Sequence, residues 1–242
     1  MKITFKIHFL FFITAFICII TGLFKDFIII SSIILVHELG HITIALLFKW
    51  KIEKVIIYPL GGITIFNQKI NSSLKEEFLI ALAGPIFQIV FFLIINSQNT
   101  LFTHYHNLIL LFNLLPIYPL DGSKILNIIY NKLFSFKKSY LLTFMTSIFV
   151  IIFILMLIKK FNIIFLFSIV LLFIKLFKYY NEIDYVFNKF LFERYLYKIK
   201  YKKHKNIRGI NINRMFKEKT HNFITNKIIK EEEILNKMFD TK

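Results

Sequence analysis

His37-Glu38-Leu39-Gly40-His41 places two imidazoles four residues apart with a carboxylate beside the first. On a helix, residues four apart share a face, so His37 and His41 can present ring nitrogens to one ion. Glu38 is one step round, close enough to reach a metal-bound water without taking a coordination position. A zinc-bound water has a pKa near 7, and Glu38 can take its proton as attack on a carbonyl begins. The bland alternative is a pair of histidines hydrogen-bonded inside a helical bundle. Three ionisable groups within five residues of an apolar run ask for a compensating partner, and a divalent cation is such a partner.

A hydrolytic zinc takes three protein ligands and keeps one position open. The chain has one cysteine, Cys18, in an apolar stretch, so no intrachain disulfide and no cysteine-based metal site can form, and any metal must use His and carboxylate. Asp121 follows a proline-broken segment and precedes Gly122. It reads equally as a third ligand or as the N-cap of a helix beginning near Ser123. Glu53 sits among surface lysines, and His104 and His106 fall in what reads as a loop on the opposite side.

The elements that must hold these residues are apolar. Hydrophobic residues make up 57% of the 242 positions, and Phe alone fills 31. A soluble domain has an apolar fraction of about 45–50%. Most of the 31 Lys and Arg, which outnumber the 14 Asp and Glu, flank the apolar runs or collect after Phe177, where attraction to an anionic membrane surface is the simplest reading, and direct nucleic-acid binding is not expected. Six runs approach the roughly 20 residues that cross a bilayer: about 5–24, 27–48, 78–95, 101–115, 140–158 and 163–177. The first follows Lys2 and Lys6 as a signal peptide would, but no small-residue cleavage site follows, so it is kept as a mature helix. Lys25-Asp26 is the turn after it. Lys2, Lys6, Lys49, Lys51, Lys54, Lys69, Lys75, Lys124, Lys132, Lys137, Lys138 and the basic tail fall on one side, against Lys25 and Lys159-Lys160 on the other. Both termini are therefore expected to be cytoplasmic, with the His pair nearer that face.

Two segments are neither loop nor span. Residues 54–66 form two β-prone runs around Pro59, Gly61 and Gly62, expected as a β-hairpin or re-entrant segment. Residues 113–122, Asn-Leu-Leu-Pro-Ile-Tyr-Pro-Leu-Asp-Gly, carry Pro116 and Pro119, which must interrupt or end the fourth helix. The expected fold is an all-α polytopic membrane protein: a transmembrane domain over residues 1–180 and a basic cytoplasmic tail over 181–242. In that tail, 228–239 has helical spacing, and few apolar clusters argue against a strong independent core.

Together, His37-Glu38-Leu39-Gly40-His41, Ala83-Gly84-Pro85 and the stretch Asn113 to Gly122 resemble the site-2 intramembrane metalloproteases. Six apolar runs with no inserted PDZ domain are most similar to the stage IV sporulation protein FB-like branch. The resemblance covers about residues 1–200. It implies one Zn²⁺ per chain held by His37, His41 and Asp121, with Glu38 as catalytic acid/base. It also implies that Asn113, Pro116 and the Gly61-Gly62 segment help hold an extended substrate, although a buried helix contact and a tight turn explain Asn113 and the glycines equally well. Gly84-Pro85 reads as helix packing. The implied substrate is a membrane-associated protein such as a pro-sigma factor, cut in or beside a membrane helix, with integral membrane regulators as further partners. Members of that branch continue into a CBS domain, and the shorter tail here resembles a compressed remnant of one. A membrane metal transporter using the same His/Asp cluster is the principal rival, and an inactive pseudoprotease a second.

Overall fold

The computed structural model describes residues 4–58, 61–66, 70–95, 99–157 and 163–240. Pro59 of the expected hairpin, and the Lys2, Lys69 and Lys159-Lys160 positions used for orientation, lie outside the described residues. The chain divides into two compact units, one of Met1–Gln68 with Lys75–Leu115 and one of Lys69–Leu74 with Pro116–Lys242.

The first unit contains β1 (Thr4–Ile7), α1 (Phe9–Ile20), α2 (Phe24–Leu47), β2 (Ile52–Tyr58), β3 (Gly61–Phe66), α3 (Leu74–Ile95) and α4 (Thr100–Asn113). Strand β2 pairs antiparallel with β3, so the β-prone runs of 54–66 form the hairpin arms, and β3 is an edge of the sheet. Strand β1 pairs parallel with β2, Thr4 opposite Lys54. That pairing corrects the first expected span. Its opening residues are a strand, and the 12 residues left as α1 reach about 18 Å at 1.5 Å per residue, short of a bilayer core of about 30 Å. Helix α4, with 14 residues, is short for the same reason. Among the described residues three helices are long and apolar enough to cross a membrane: α2, α3 and Phe136–Leu157. On these the chain is an integral membrane protein, predominantly helical but not all-α.

Helix α2 is fixed on two sides. Its Ile42 packs with Ile52 and Val55 of β2 and with Phe66 of β3, seating the sheet against the helix. On another side Gly40 meets α3 so closely that a Cβ there would lie 2.5 Å from the Ala83 carbonyl oxygen. Small residues permit such backbone approach between apolar helices.

The second unit contains α5 (Asp121–Leu133), α6 (Phe136–Leu157), α7 (Ile163–Tyr197), β4 (His204–Arg208), β5 (Thr220–Ile224), β6 (Ile228–Lys230) and α8 (Glu231–Phe239). Helix α7 runs through residue 180 without a break, and β4 and β6 flank β5 in a second sheet. The tail does acquire a core, built partly on residues before it: Phe136 joins Phe187, Phe190, Leu191, Ile207, Met215, Phe223, Ile234 and Leu235. Buried charges are met individually. Arg194 donates to Glu231 Oε1 at 2.7 Å and to the carbonyls of Phe216, Lys217 and Lys219, while Glu193 accepts from the backbone N–H of Ile70 and Asn71.

His221 is held neutral by its neighbours. The Phe216 N–H donates to His221 Nε2 at 2.9 Å, and Nδ1 lies 2.7 Å from Glu231 Oε2. A backbone N–H can only donate, so Nε2 is the acceptor and Nδ1 carries the proton. Burial holds the His221 pKa below its ordinary value against the pull of Glu231. Burial pushes the Glu231 carboxyl up, but the His221 hydrogen bond and Arg194 outweigh it and hold that pKa below its ordinary value. Both groups therefore bind protons more weakly folded than unfolded, and their stabilisation is complete above the unfolded histidine pKa of about 6.5 and falls as pH drops. Amide protection in β5 and α8, corrected for intrinsic exchange rates, is expected to fall between about pH 7 and pH 5. Unchanged protection would refute this reading of His221.

Candidate metal centre

His37 and His41 lie on the buried face of α2, 3% and 6% exposed. Their Nε2 atoms are 3.1 Å apart. Each ring is anchored at its other nitrogen by α3. His41 Nδ1 lies 2.7 Å from the Ile80 carbonyl oxygen, and His37 Nδ1 lies 3.0 Å from Gln88 Oε1. The Ile80 carbonyl can only accept, so His41 carries its proton on Nδ1 and presents the Nε2 lone pair. Gln88 Nε2 donates to the His106 carbonyl at 3.0 Å, which turns Oε1 toward His37 and gives His37 the same tautomer. Two lone pairs directed into one small space repel unless a cation sits between them. Nitrogens bound tetrahedrally at about 2.0–2.1 Å from zinc stand about 3.3 Å apart, close to the spacing here. The donor set fits the metal that the motif implies.

Gly84 of α3 forms the wall. A Cβ there would lie 2.3 Å from His41 Nε2 and 2.7 Å from His37 Nε2. Residues 80, 84 and 88 are thus one stripe of α3, supplying in turn a carbonyl anchor, a gap and an amide anchor. The sequence reading of Gly84 as helix packing identified the interface but not its contents. Gln88 was missed altogether; the available signal was a lone amide inside an apolar helix, four residues from Gly84.

Glu38 is half-buried, and its Oε2 accepts from Thr64 Oγ1 on β3 at 3.3 Å. The hairpin thereby contributes to the aim of the carboxylate, a role for Thr64 that the sequence did not suggest. Gly61 and Gly62 pair with Tyr58 and Ile57 across the hairpin. Asn113 is the last residue of α4 and half-buried. Glu53 is exposed on β2. His104 and His106 lie within α4 rather than in a loop, and the buried His106 ring stacks on Phe92 with centroids 4.3 Å apart.

In the second unit Pro116 is half-buried and the prolines do end α4, as expected. Asp121 is 4% exposed and accepts from Lys124 Nζ at 2.8 Å. It is the first residue of α5, and Leu120 occupies the cap, so the N-cap alternative for Asp121 does not hold.

The Peptidase family M50 model matches residues 26–102, which include α2, the hairpin and α3. Stage IV sporulation protein FB of Bacillus subtilis is 34% identical over 194 residues, 73% of this chain and 66% of that protein. Over α2, the hairpin and α3 the sequence is thus that of a peptidase family M50 protein. A zinc metalloprotease of Methanocaldococcus jannaschii is 33% identical over 126 residues, covering 47% of this chain and 36% of the relative. The solved site-2 protease from Methanocaldococcus jannaschii shares the fold, with a TM-score of 0.55 at 24% identity over 74% of this chain and 91% of that one. The chain thus spans just under two thirds of the sporulation protein and about a third of the other metalloprotease. Within the M50 frame, the motif glutamate, both histidines and the glycine stripe all belong to the matched region.

Proposed function

We propose that this chain is a zinc metalloendopeptidase that cuts a peptide bond in or beside a membrane-associated segment. The observation that carries the reading is the pair of Nε2 atoms, 3.1 Å apart and both held as lone-pair donors by anchors on α3. His37 and His41 would bind the ion, and Asp121, a buried carboxylate following the Pro-rich break, would be the third ligand. Zinc, when bound, polarises the scissile carbonyl and lowers the pKa of water. Glu38 takes the proton of the attacking water and returns it to the leaving amine. Thr64 steadies the carboxylate through this transfer.

A helical substrate shields its own backbone and must be extended before attack. Strand β3 is an edge, so an unwound peptide can add to it by β-augmentation beside Glu38. Gly61 and Gly62 leave that edge unobstructed by side chains, and Asn113 and Pro116 would help hold the extended chain. The similarity to stage IV sporulation protein FB supports a pro-sigma factor as substrate, and the distribution of Lys and Arg supports both termini and the site's opening toward the cytoplasm.

The test is reconstitution of the full chain in lipid vesicles with candidate pro-sigma factors, with and without chelator. Cleavage that stops on chelation and returns with Zn²⁺ is expected; cleavage indifferent to chelation would overturn the reading. Asp121→Asn keeps one weak oxygen donor, and we expect at least a tenfold loss of zinc affinity. A dead Asp121→Asn enzyme with unchanged zinc binding would remove Asp121 from the ligand set.

A further inference from the structure

We propose that Gln88 is a positioning residue that fixes the tautomer of His37 and thereby sets the affinity of the site for zinc, an inference that rests on the metalloendopeptidase reading above. Gln88 is fully buried in the middle of an apolar helix, where an amide is costly unless both of its ends are met. Both ends are met, and in only one orientation. The His106 carbonyl of α4 accepts and cannot donate, so it takes the amide nitrogen, at 3.0 Å. The amide oxygen is left facing His37 Nδ1 at 3.0 Å, and an amide oxygen cannot donate either. His37 must therefore hold its proton on Nδ1. The direction of a backbone carbonyl on α4 is passed through one side chain to decide which nitrogen of His37 has a lone pair.

His41 is anchored differently. Its acceptor is the Ile80 main-chain carbonyl, which no side-chain substitution removes. Gln88 is thus the member of the orienting pair through which substitution can adjust the metal. Hydrogen bonds of this kind to a ligating histidine fix ring orientation and raise basicity, and their loss costs about 10–100-fold in metal affinity. A helix-packing role would predict something else: an apolar residue of similar size at position 88 would leave both tautomer and affinity unchanged.

The experiment compares full-length wild type, Gln88→Leu and Gln88→Glu in detergent. The tautomer of His37 is read from imidazole ¹⁵N shifts of metal-stripped protein, assigned by comparison with His37→Asn, and zinc affinity by competition with a chromophoric chelator. In wild type we expect the Nδ1–H form. Gln88→Leu should lose that preference and bind zinc about 10–100-fold more weakly. Gln88→Glu keeps an oxygen acceptor toward Nδ1 and should restore the tautomer and most of the affinity. Zinc binding by Gln88→Leu equal to wild type, or equal losses in both variants, would overturn the proposal and leave the metalloendopeptidase reading standing. A wild-type Nδ1–H tautomer that Gln88→Leu abolishes, in a protein that binds no zinc, would instead overturn that reading and leave the tautomer control in place.

Discussion

Glu38→Gln is expected to abolish cleavage while leaving zinc bound. The substitution keeps the size of the side chain and an oxygen that can still accept from Thr64 Oγ1, now 3.3 Å from the carboxylate. It removes the ability to take a proton. General-base catalysis contributes about 10²–10⁴-fold, and in the proposed mechanism the same group would also return the proton to the leaving amine, so the upper end of that range is expected. Zinc content should not change, because Glu38 sits one step round α2 from the buried face that carries His37 and His41. The measurement pairs metal analysis of purified protein with cleavage of a tagged substrate in vesicles. Retention of more than about a tenth of wild-type cleavage would exclude Glu38 as the base, given the magnitudes such groups supply. The same variant separates the protease from a metal transporter, since metal passage through a His/Asp cluster has no need of a proton acceptor beside the ligands.

The His-Glu-x-x-His motif was legible in the sequence because its spacing is the helical period: any helix over 37–41 puts both imidazoles on one side. The anchors were not legible, because they depend on the pairing of α2 with α3. Nothing in Ile80, Gly84 and Gln88 as letters says that this stripe faces His37 and His41; only the close approach at Gly40 sets that register. The first apolar run misled for a related reason. Thr4–Ile7 is too short to show alternation clearly, and its pairing with β2 is made with residues some fifty positions further on. In the tail, the fold buries Glu193 and Arg194 and meets them with backbone groups from distant segments, which no local pattern in the sequence marks. Hydropathy identifies which segments avoid water. It does not identify the polar contacts that let a charged residue do the same.

Gly84→Ala should destroy the site, and its sign makes it diagnostic. In the interior of an ordinary helix, replacing Gly by Ala stabilises by about 0.8–1.0 kcal/mol. At Gly84 the added Cβ would stand 2.3 Å from His41 Nε2, 2.6 Å from His41 Cε1 and 2.7 Å from His37 Nε2. Neither ring can swing aside freely. Rotating His41 breaks its 2.7 Å contact with the Ile80 carbonyl, and rotating His37 breaks the one with Gln88. Moving the helices apart would open the Gly40–Ala83 approach and with it the packing that sets the register of the stripe. Relief must therefore come from the nitrogens that would bind zinc, and we expect at least a hundredfold loss of zinc affinity with cleavage reduced in proportion. Metal analysis and the vesicle assay measure both, while helical content by circular dichroism shows whether the bundle survives. Normal zinc binding by Gly84→Ala would mean that the imidazoles meet the ion somewhere other than against this wall of α3.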